Sequence, residues 1–474
     1  MKKKNNFSLF MLIAFIIIGN LTYAQLTRKA PYLIYTGSET EMKILWQLTS
    51  TETCTIEWGN DTLYSLGNEQ TNEYGNDHQH TYTIMNLTPD TKYYYRVTIN
   101  QEVHTGTFRS APDPNATTIK FFAYGDTRSN PSTHNQVAAE MVATYLGDTN
   151  FQSFIISVGD LVNHGNNESD WDNQFFDPSY QNIQEILANL PYQSCMGNHE
   201  ESGVLFKKYF PYQFVDGRYW SFDYGPAHFV VIDQYTSYGP GSPQLNWIEN
   251  DLASTDKLWK FIYLHAPGWS AGGGHSNNSS VQNYIQPLCE QYGVSILFAG
   301  HNHYYARALV NDIQHITTGG GGAPLHQPDP NYPNIITTSM AHHFCKVELD
   351  NQILNFSAVT SQGEVIDSFT IEKQPVGTGS EIDQVLTQEY MLHNAYPNPF
   401  NPATTIIFQI PELNFVTLKV YDVLGNAVRT LVNEKKSAGI YEVDFNAVNL
   451  PSGIYFYSLK AGSYSETKKM ILMK

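Results

Sequence analysis

The chain has 474 residues, with 45 acidic and 27 basic side chains and a formal net charge of −18 at pH 7. At roughly 150 residues per domain, this length predicts about three domains and leaves enough chain for a sizeable core. The negative charge repels anionic polymers and excludes wrapping around nucleic acid, so a phosphate-bearing substrate would need local positive charge such as metal ions.

The first residues follow the order of a secretory signal. Lysines at positions 2 to 4 precede the apolar run Phe7–Ile18, and the short stretch Thr22–Ala24 comes before Gln25. We predict a signal peptide over residues 1–24; an uncleaved anchor helix is the alternative, although this run is shorter than the roughly 20 apolar residues that a membrane span needs. No later stretch is apolar enough to span, so we expect no transmembrane anchor in the mature chain. Its four cysteines could form disulfides after export, and their spacing leaves the pairing open.

Short segments rich in β-branched and aromatic residues fill residues 26–111. They include MKILWQLT, CTIEWG, HTYTIMNL and KYYYRVTI, divided by Gly, Asn, Asp and Pro. This pattern is typical of a small β-sandwich. The stretch LTPDTKYYYRV resembles the late-strand signature of a fibronectin type III module, and the resemblance extends to the sandwich that precedes the catalytic domain of plant-type purple acid phosphatases.

Residues 117–373 have a different pattern, in which apolar strands alternate with longer helical or irregular segments. The strand-like segments are IKFFAYGD, FQSFIISVGD, HFVVIDQ, KFIYLHAPG and VSILFAGHNH. This alternation predicts an α/β domain with a buried sheet. Nearly every segment ends in polar residues, and ligand sites in open α/β sheets lie beyond the carboxyl ends of the strands.

Six residues at these strand ends are candidate metal ligands. They comprise two carboxylates, one amide and three imidazoles: Asp126, Asp160, Asn198, His265, His301 and His303. Metal-assisted phosphoester hydrolysis requires two cations held by such groups, with one bridging ligand and open positions for water and phosphate. Each block alone has low specificity; the ordered set GDTR, GDLVN, GNHE, YLHAPG and GHNH predicts the site.

With these blocks, residues 117–373 resemble the calcineurin-like metallophosphoesterases, and within them the purple acid phosphatases. The resemblance implies two mixed β-sheets flanked by helices. It further implies that Asp160 bridges two metals, that Asp126 and His303 hold the first, and that Asn198, His265 and His301 hold the second. A metal-bound hydroxide would then hydrolyse phosphomonoesters in the manner of an acid phosphatase. Phosphodiester or nucleotide cleavage by the same site, and a non-enzymatic surface binding protein, remain as alternatives.

Three further residues are candidate catalytic or substrate-contacting groups. The resemblance places His199 and His275 beside the phosphate. Arg128 stands where the general family has a ligand histidine. Because guanidinium has no lone pair for a cation, we expect weaker metal binding at the first site. We expect the guanidinium to hold a phosphate oxygen through paired hydrogen bonds, or else to form a salt bridge to a neighbouring acid. Asn163 replaces the tyrosine of the purple enzymes, so we expect no purple colour. The expected cofactors are two metal ions, of iron, zinc or manganese. The glycine run 319–322 lacks the residues of a nucleotide loop and predicts a flexible turn at the site rim.

Strand signals return in residues 395–474, after a linker at 374–394 that bears Gly, Pro, Thr and Ser. The segments YPNPFNPATTI, VYDVLGNAVRTL and LPSGIYFYSLKAG, followed by KKMILMK, resemble the C-terminal sorting domain of bacterial type IX secretion. The resemblance implies a C-terminal β-sandwich, the type IX secretion machinery as a partner, and a protein that is secreted or held at the outer cell surface. An ordinary carbohydrate-binding sandwich is the alternative.

Overall fold

The computed structural model describes residues 25–73, 77–373, 390–395, 397–436 and 439–474. The predicted signal peptide and most of the predicted linker lie outside these ranges. The described residues form two compact units, one on each side of 374–389. The first holds a β-sandwich and an α/β domain, and the second contains only strands. Within the described ranges, no helix combines the length and the hydrophobicity that crossing a membrane requires.

The described residues of the N-terminal β-sandwich form seven strands. They are β1 Thr27–Ile34, β2 Met42–Leu48, β3 Cys54–Gly59, β4 Gly67–Thr71, β5 Gln79–Ile84, β6 Lys92–Ile99 and β7 Glu102–Arg109. Their orders are β1-β2-β5 in one sheet and β4-β3-β6-β7 in the other. Alternate residues of β6 are buried, since successive side chains of a strand point to opposite faces. Lys29 of β1 donates to Asp172 Oδ1 of the next domain at 2.5 Å, which ties the two domains together.

The central domain has thirteen strands in two mixed sheets. They are β8 Thr118–Tyr124, β9 Ile155–Ser157, β10 Tyr192–Ser194, β11 Trp220–Tyr224, β12 Ala227–Val231, β13 Trp259–Tyr263, β14 Ile296–Ala299, β15 Tyr305–Val310, β16 Ile313–Thr318, β17 Ile335–Ser339, β18 His343–Asp350, β19 Ile353–Thr360 and β20 Val365–Glu372. One sheet has the order β10-β9-β8-β18-β19-β20, and the other β11-β12-β13-β14-β16-β15-β17. This confirms the predicted α/β domain with two mixed sheets.

The helices of this domain range from 3 to 17 residues. They are α1 Pro131–Gly147, α2 Glu168–Asp170, α3 Gln181–Asn189, α4 Val204–Tyr209, α5 Pro243–Ser254 and α6 Gln286–Tyr292, with 3-10 turns at Thr149–Phe151 and Asn198–Glu200 and π turns at Trp171–Phe175 and Val281–Ile285. The N-terminus of helix α5 has a capping serine followed by a proline. Ser242 accepts a hydrogen bond from Leu245 N at 3.2 Å, and Pro243 occupies the first helical turn, where its missing N–H is not needed.

The two central sheets pack face to face through aromatic side chains. Phe121 of β8 contacts Phe229 of β12 and Phe261 of β13, with ring centroids 5.2 and 5.4 Å apart and the rings nearly perpendicular. Strands β8, β9 and β10 run parallel to one another, as do β12, β13, β14 and β16. The carboxyl ends of each parallel set therefore meet at one edge of its sheet.

In the C-terminal unit, the residues that the structure describes form seven strands around their own core. They are β21 Met391–Leu392, β22 Ala403–Ile410, β23 Asn414–Tyr421, β24 Ala427–Lys436, β25 Gly439–Asn446, β26 Gly453–Ala461 and β27 Tyr464–Leu472. The sheet orders are β21-β22-β25 and β24-β23-β26-β27. Phe408, Leu418 and Tyr457 are among the fully buried side chains of this core. The predicted C-terminal β-sandwich is confirmed.

Candidate metal centre

The candidate ligands lie just beyond the carboxyl ends of the parallel strands. Asp126, Asp160 and Asn198 follow β8, β9 and β10 of one sheet. His265 follows β13 of the other sheet, and His301 and His303 both follow β14. Because the two sheets face each other, these strand ends bring all six side chains to one edge of the domain.

A first cluster consists of Asp126, Asp160 and His303. Each is buried and offers one ligand atom, and these atoms lie within 4.8 Å of one another. His303 Nε2 is 3.5 Å from Asp126 Oδ1. His303 Nδ1 donates to the carbonyl oxygen of Pro324 at 2.7 Å, which leaves the lone pair of a neutral ring on Nε2, facing the carboxylates.

A second cluster surrounds His265 Nε2. This atom lies 3.1 Å from Asn198 Oδ1 and 3.1 Å from His301 Nδ1. It also lies 3.4 Å from Asp160 Oδ1. Since His265 Nδ1 donates to the carbonyl oxygen of Val158 at 2.8 Å, the neutral ring has its lone pair on Nε2. Acceptor atoms that face each other repel unless a positive charge lies among them. Two ligand atoms that each lie about 2.1 Å from a tetrahedral cation would be about 3.4 Å apart. The spacing fits a metal ion.

The charges of this edge also favour a cation. Burial, together with the positive charge of His265, lowers the pKa of His301 to about 2, so that ring is neutral. Burial opposes a charge on His265, but the carboxylate of Asp160 outweighs it and raises the pKa of His265 to about 9, so an ion bound at Nε2 would take the place of a proton there and leave the ring neutral. Burial would likewise raise the pKa of Asp160, yet the neighbouring His265 and His199 lower it. Asp160 thus stays ionised between the two clusters, where one carboxylate could serve two ions.

The ligand loops have unusual backbone conformations. Asp126, Asp160 and His301 have φ of +56°, +57° and +67°, a left-handed region that non-glycine residues rarely adopt. The Asp126 carboxylate accepts hydrogen bonds from His301 N at 3.1 and 3.0 Å. A methyl group on Gly300 would lie 2.2 Å from Asp126 Oδ2, so a larger residue at this position would displace the carboxylate. The loops therefore hold the carboxylate in one place.

Glu200 is a buried carboxylate of the site that our sequence analysis did not single out. It accepts hydrogen bonds from the backbone N–H groups of Asp160 at 3.0 Å, Leu161 at 2.7 Å and Gly197 at 2.7 Å. These bonds join the loop after β9 to the loop after β10. Glu200 is the glutamate that ends the GNHE block, and its place in this block was the sequence signal that could have indicated the role.

Arg128 lies across the first cluster. Its Nε donates to Asp160 Oδ2 at 3.3 Å, and Nη2 is 3.4 Å from His303 Nε2. Nη1 donates to Asn163 Oδ1 at 3.3 Å and to Ser129 Oγ at 3.1 Å. The salt bridge to a neighbouring acid is therefore present, and the guanidinium stands beside the ligands without offering a lone pair. Asn163 Oδ1 also accepts from Ser129 Oγ at 2.6 Å, so this oxygen is engaged by two donors.

His199 lies beside Asp160, and His275 lies against His301. His199 N donates to Asp160 Oδ1 at 3.0 Å, while its Nδ1 donates to the carbonyl oxygen of Asn163 at 2.6 Å. His199 Nε2 is 3.8 Å from Asp160 Oδ2. The His275 ring stacks on His301, with centroids 3.8 Å apart and an interplanar angle of 22°. The structure thus brings both histidines against candidate ligands.

Another histidine, His326, was missed because its segment has no motif. Its ring stacks on His303 with centroids 4.1 Å apart. Burial, and then the charge of His303, lower the pKa of His326 to about 4.

The glycine run 319–322 is not the flexible rim turn that we expected. All four residues are buried. Gly321 N donates to the carbonyl oxygen of Gly125 at 2.9 Å, and a methyl group on Gly319 would lie 2.8 Å from Asp126 Oδ2. The run forms the floor beneath Asp126. A cavity of about 550 Å³ lies elsewhere, between Arg109 and Glu348, and contains none of the candidate ligands.

Three family models match the chain in succession. Residues 29–111 match the purple acid phosphatase N-terminal domain, and residues 120–305 match the calcineurin-like phosphoesterases. Residues 394–473 match the secretion system C-terminal sorting domain, which indicates secretion or an outer-surface location.

Curated relatives and solved structures agree with these matches. A purple acid phosphatase of Glycine max is 27% identical over 315 residues, which cover 57% of this chain and 66% of that protein. A probable inactive purple acid phosphatase 1 of Arabidopsis thaliana is 26% identical over 359 residues, covering 62% and 57%. The chain thus spans less than two thirds of the length of these relatives. The purple acid phosphatase PPD1 of yellow lupin has the same fold, with a TM-score of 0.62 and 22% identity over 73% of this chain and 74% of that one. Along the chain, a domain like the N-terminal domain of purple acid phosphatases therefore precedes a calcineurin-like phosphoesterase domain and a C-terminal secretion-sorting domain.

Proposed function

We propose that this chain is a secreted metal-dependent phosphoesterase that hydrolyses phosphomonoesters in the manner of an acid phosphatase. The observation that carries the proposal is the second cluster, whose acceptor atoms lie 3.1 to 3.4 Å from His265 Nε2, next to the first cluster, whose ligand atoms lie within 4.8 Å of one another. The surrounding chain is strongly acidic, so the ions would supply the positive charge that captures a phosphate.

Each candidate ligand has a proposed place in this centre. Asp126 and His303 would hold the first ion, Asn198, His265 and His301 the second, and Asp160 both. When bound, two such ions polarise the phosphoryl oxygens and make water a competent nucleophile near neutral pH. A donor set of oxygen and imidazole nitrogen without thiolate suits iron, zinc or manganese.

Three other side chains would act on the substrate. His199 keeps its Nδ1 proton on the Asn163 carbonyl, so the proton that it can transfer to a leaving oxygen is on Nε2. Arg128 can turn its paired N–H groups from Asp160 to an unesterified phosphoryl oxygen. His275, stacked on His301, would contact the phosphoryl group from the other side.

Turnover and metal content, measured together, test this proposal. The mature, tail-free protein is assayed with p-nitrophenyl phosphate and its bis-ester across pH, and bound metal is quantified. Asp160→Asn and Asn198→Ala should abolish turnover and reduce bound metal, whereas the exposed-site controls Asp256→Asn and Asn246→Ala should retain both. Faster turnover of the bis-ester would favour a phosphodiesterase. No turnover with fewer than one metal per chain would favour a binding protein.

In the proposed secretion route, both terminal segments of the chain act as export signals. The signal peptide 1–24 would be removed on export, the domains 26–111 and 117–373 would form the mature protein, and residues 395–474 would be recognised by type IX secretion machinery and removed. Mass spectrometry of the secreted protein tests this route. We expect an N-terminus at Gln25 and a C-terminus before residue 395, and retention of either terminal segment would contradict it.

A further inference from the structure

His326 is held against a candidate metal ligand from two sides. Its ring lies almost parallel to that of His303, with an interplanar angle of 20° and centroids 4.1 Å apart. His326 N donates to the carbonyl oxygen of His303 at 2.9 Å, and His303 N donates to His326 Nδ1 at 3.2 Å. The ring therefore has a fixed position, although it belongs to none of the motif blocks.

The bond to His326 Nδ1 also fixes where its proton lies. Because Nδ1 accepts an N–H, it carries the lone pair, and the neutral ring has its proton on Nε2. Among the residues that the structure describes, none forms a hydrogen bond with this Nε2. The side chain is only half-buried, so this N–H is open to water or to a bound ligand.

The rings around His326 form a wall along the site. His275 covers His301 as His326 covers His303, and the two covering rings meet with centroids 5.8 Å apart. Arg128 approaches the same His303 ring, with Nη2 3.4 Å from Nε2. A phosphate bound at the two clusters would thus lie beside this wall.

We propose that His326 contacts the substrate and donates its Nε2 proton in a hydrogen bond to an unesterified phosphoryl oxygen. The inference rests on the proposed phosphoesterase function and deepens it. A monoester dianion has more negative charge and one more unesterified oxygen than a diester. This donor therefore stabilises bound monoesters more than diesters and contributes to selection between them.

Two substitutions separate hydrogen bonding to phosphate from packing on His303. His326→Asn keeps an acceptor near the position of Nδ1 and loses the Nε2 donor, whereas His326→Gln can place an amide N–H near Nε2. Binding of inorganic phosphate to the metal-loaded full protein is measured by calorimetry, with metal content determined in parallel. His78→Asn, in the N-terminal sandwich where φ is +52° and suits asparagine, is the matched control.

We expect His326→Asn to keep its metal and to bind phosphate roughly tenfold more weakly, the usual effect of losing a hydrogen bond to a charged acceptor. The Gln variant should stay within about threefold of the wild type. If the Asn variant binds phosphate as tightly as the wild type does, the inference is overturned. Equal metal loss in both variants would also overturn it, because it would assign His326 a packing role. Wild-type protein that binds no phosphate and cleaves no ester would instead refute the proposed function.

Discussion

Replacing Arg128 with histidine should tighten the first metal site and weaken phosphate binding at the same time. The guanidinium Nε is 3.3 Å from Asp160 Oδ2, so an ion about 2 Å from that oxygen would lie roughly 4 Å from a positive charge. At an effective dielectric constant of about 20, each pair of unit charges at 4 Å repels by about 4 kcal/mol. Screening at the open edge reduces this value, and the imidazole adds a ligand, so we expect first-site affinity to rise by about 10- to 100-fold.

Metal titration of the metal-free protein measures this effect. Calorimetry with Zn²⁺ should resolve one tight site that is unchanged in Arg128→His and one weaker site that tightens. Inorganic phosphate should bind the metal-loaded variant more weakly, because the paired N–H donors of the guanidinium are lost. Arg96→His, in the N-terminal sandwich, is the control and should change neither affinity. A first site that is no tighter in Arg128→His than in the wild type would refute the electrostatic reasoning.

Two other predictions concern pH and packing. Burial opposes a charge on His228, but hydrogen bonds to Asp223 and Asp251 raise its pKa to about 9, above the unfolded value of about 6.5. The stability that this shift provides is therefore complete below about pH 6.5 and is lost as pH rises through 9, by up to about 3 kcal/mol in the free energy of unfolding from urea melts. Gly300→Ala would place a methyl group 2.2 Å from Asp126 Oδ2, so first-site metal content should fall at least about tenfold.

Both predictions have controls. His228→Gln removes the titrating group, and its unfolding free energy should change less between pH 6 and pH 9.5; an unchanged slope would contradict the assignment. Gly147→Ala, where a methyl group would meet no atom within 4 Å, should retain its metal. Full metal content in Gly300→Ala would show that Asp126 tolerates displacement.

The sequence predicted much of this architecture because the strands end in chemically distinctive residues. Periodicity separated the two β-sandwiches from the α/β domain, and the Gly-Asp and His-x-His blocks gave the residues that the strand ends bring together. The four cysteines are all buried and form no disulfide among the described residues, an outcome that spacing alone could not decide. The domain boundaries and the roles of the site residues remain predictions.

What the sequence could not predict depends on contacts between distant segments. His326 stacks on His303, which lies on another loop. No local sequence pattern indicates such a contact. Gly319 was expected in a flexible turn at the site rim because glycine runs are flexible in isolation. The packing of that run beneath Asp126 required the position of β8, which is far away in sequence.

Electron paramagnetic resonance of the protein at saturating Mn²⁺ tests the central claim most directly. If Asp160 joins two ions roughly 3.5–4 Å apart, the two manganese spins must be exchange-coupled, and Asp160→Ala must remove the coupling. We predict two bound ions per chain with a coupled spectrum in the wild type. An isolated six-line manganese signal in the wild type, with one ion or none bound, would contradict a binuclear centre at these strand ends.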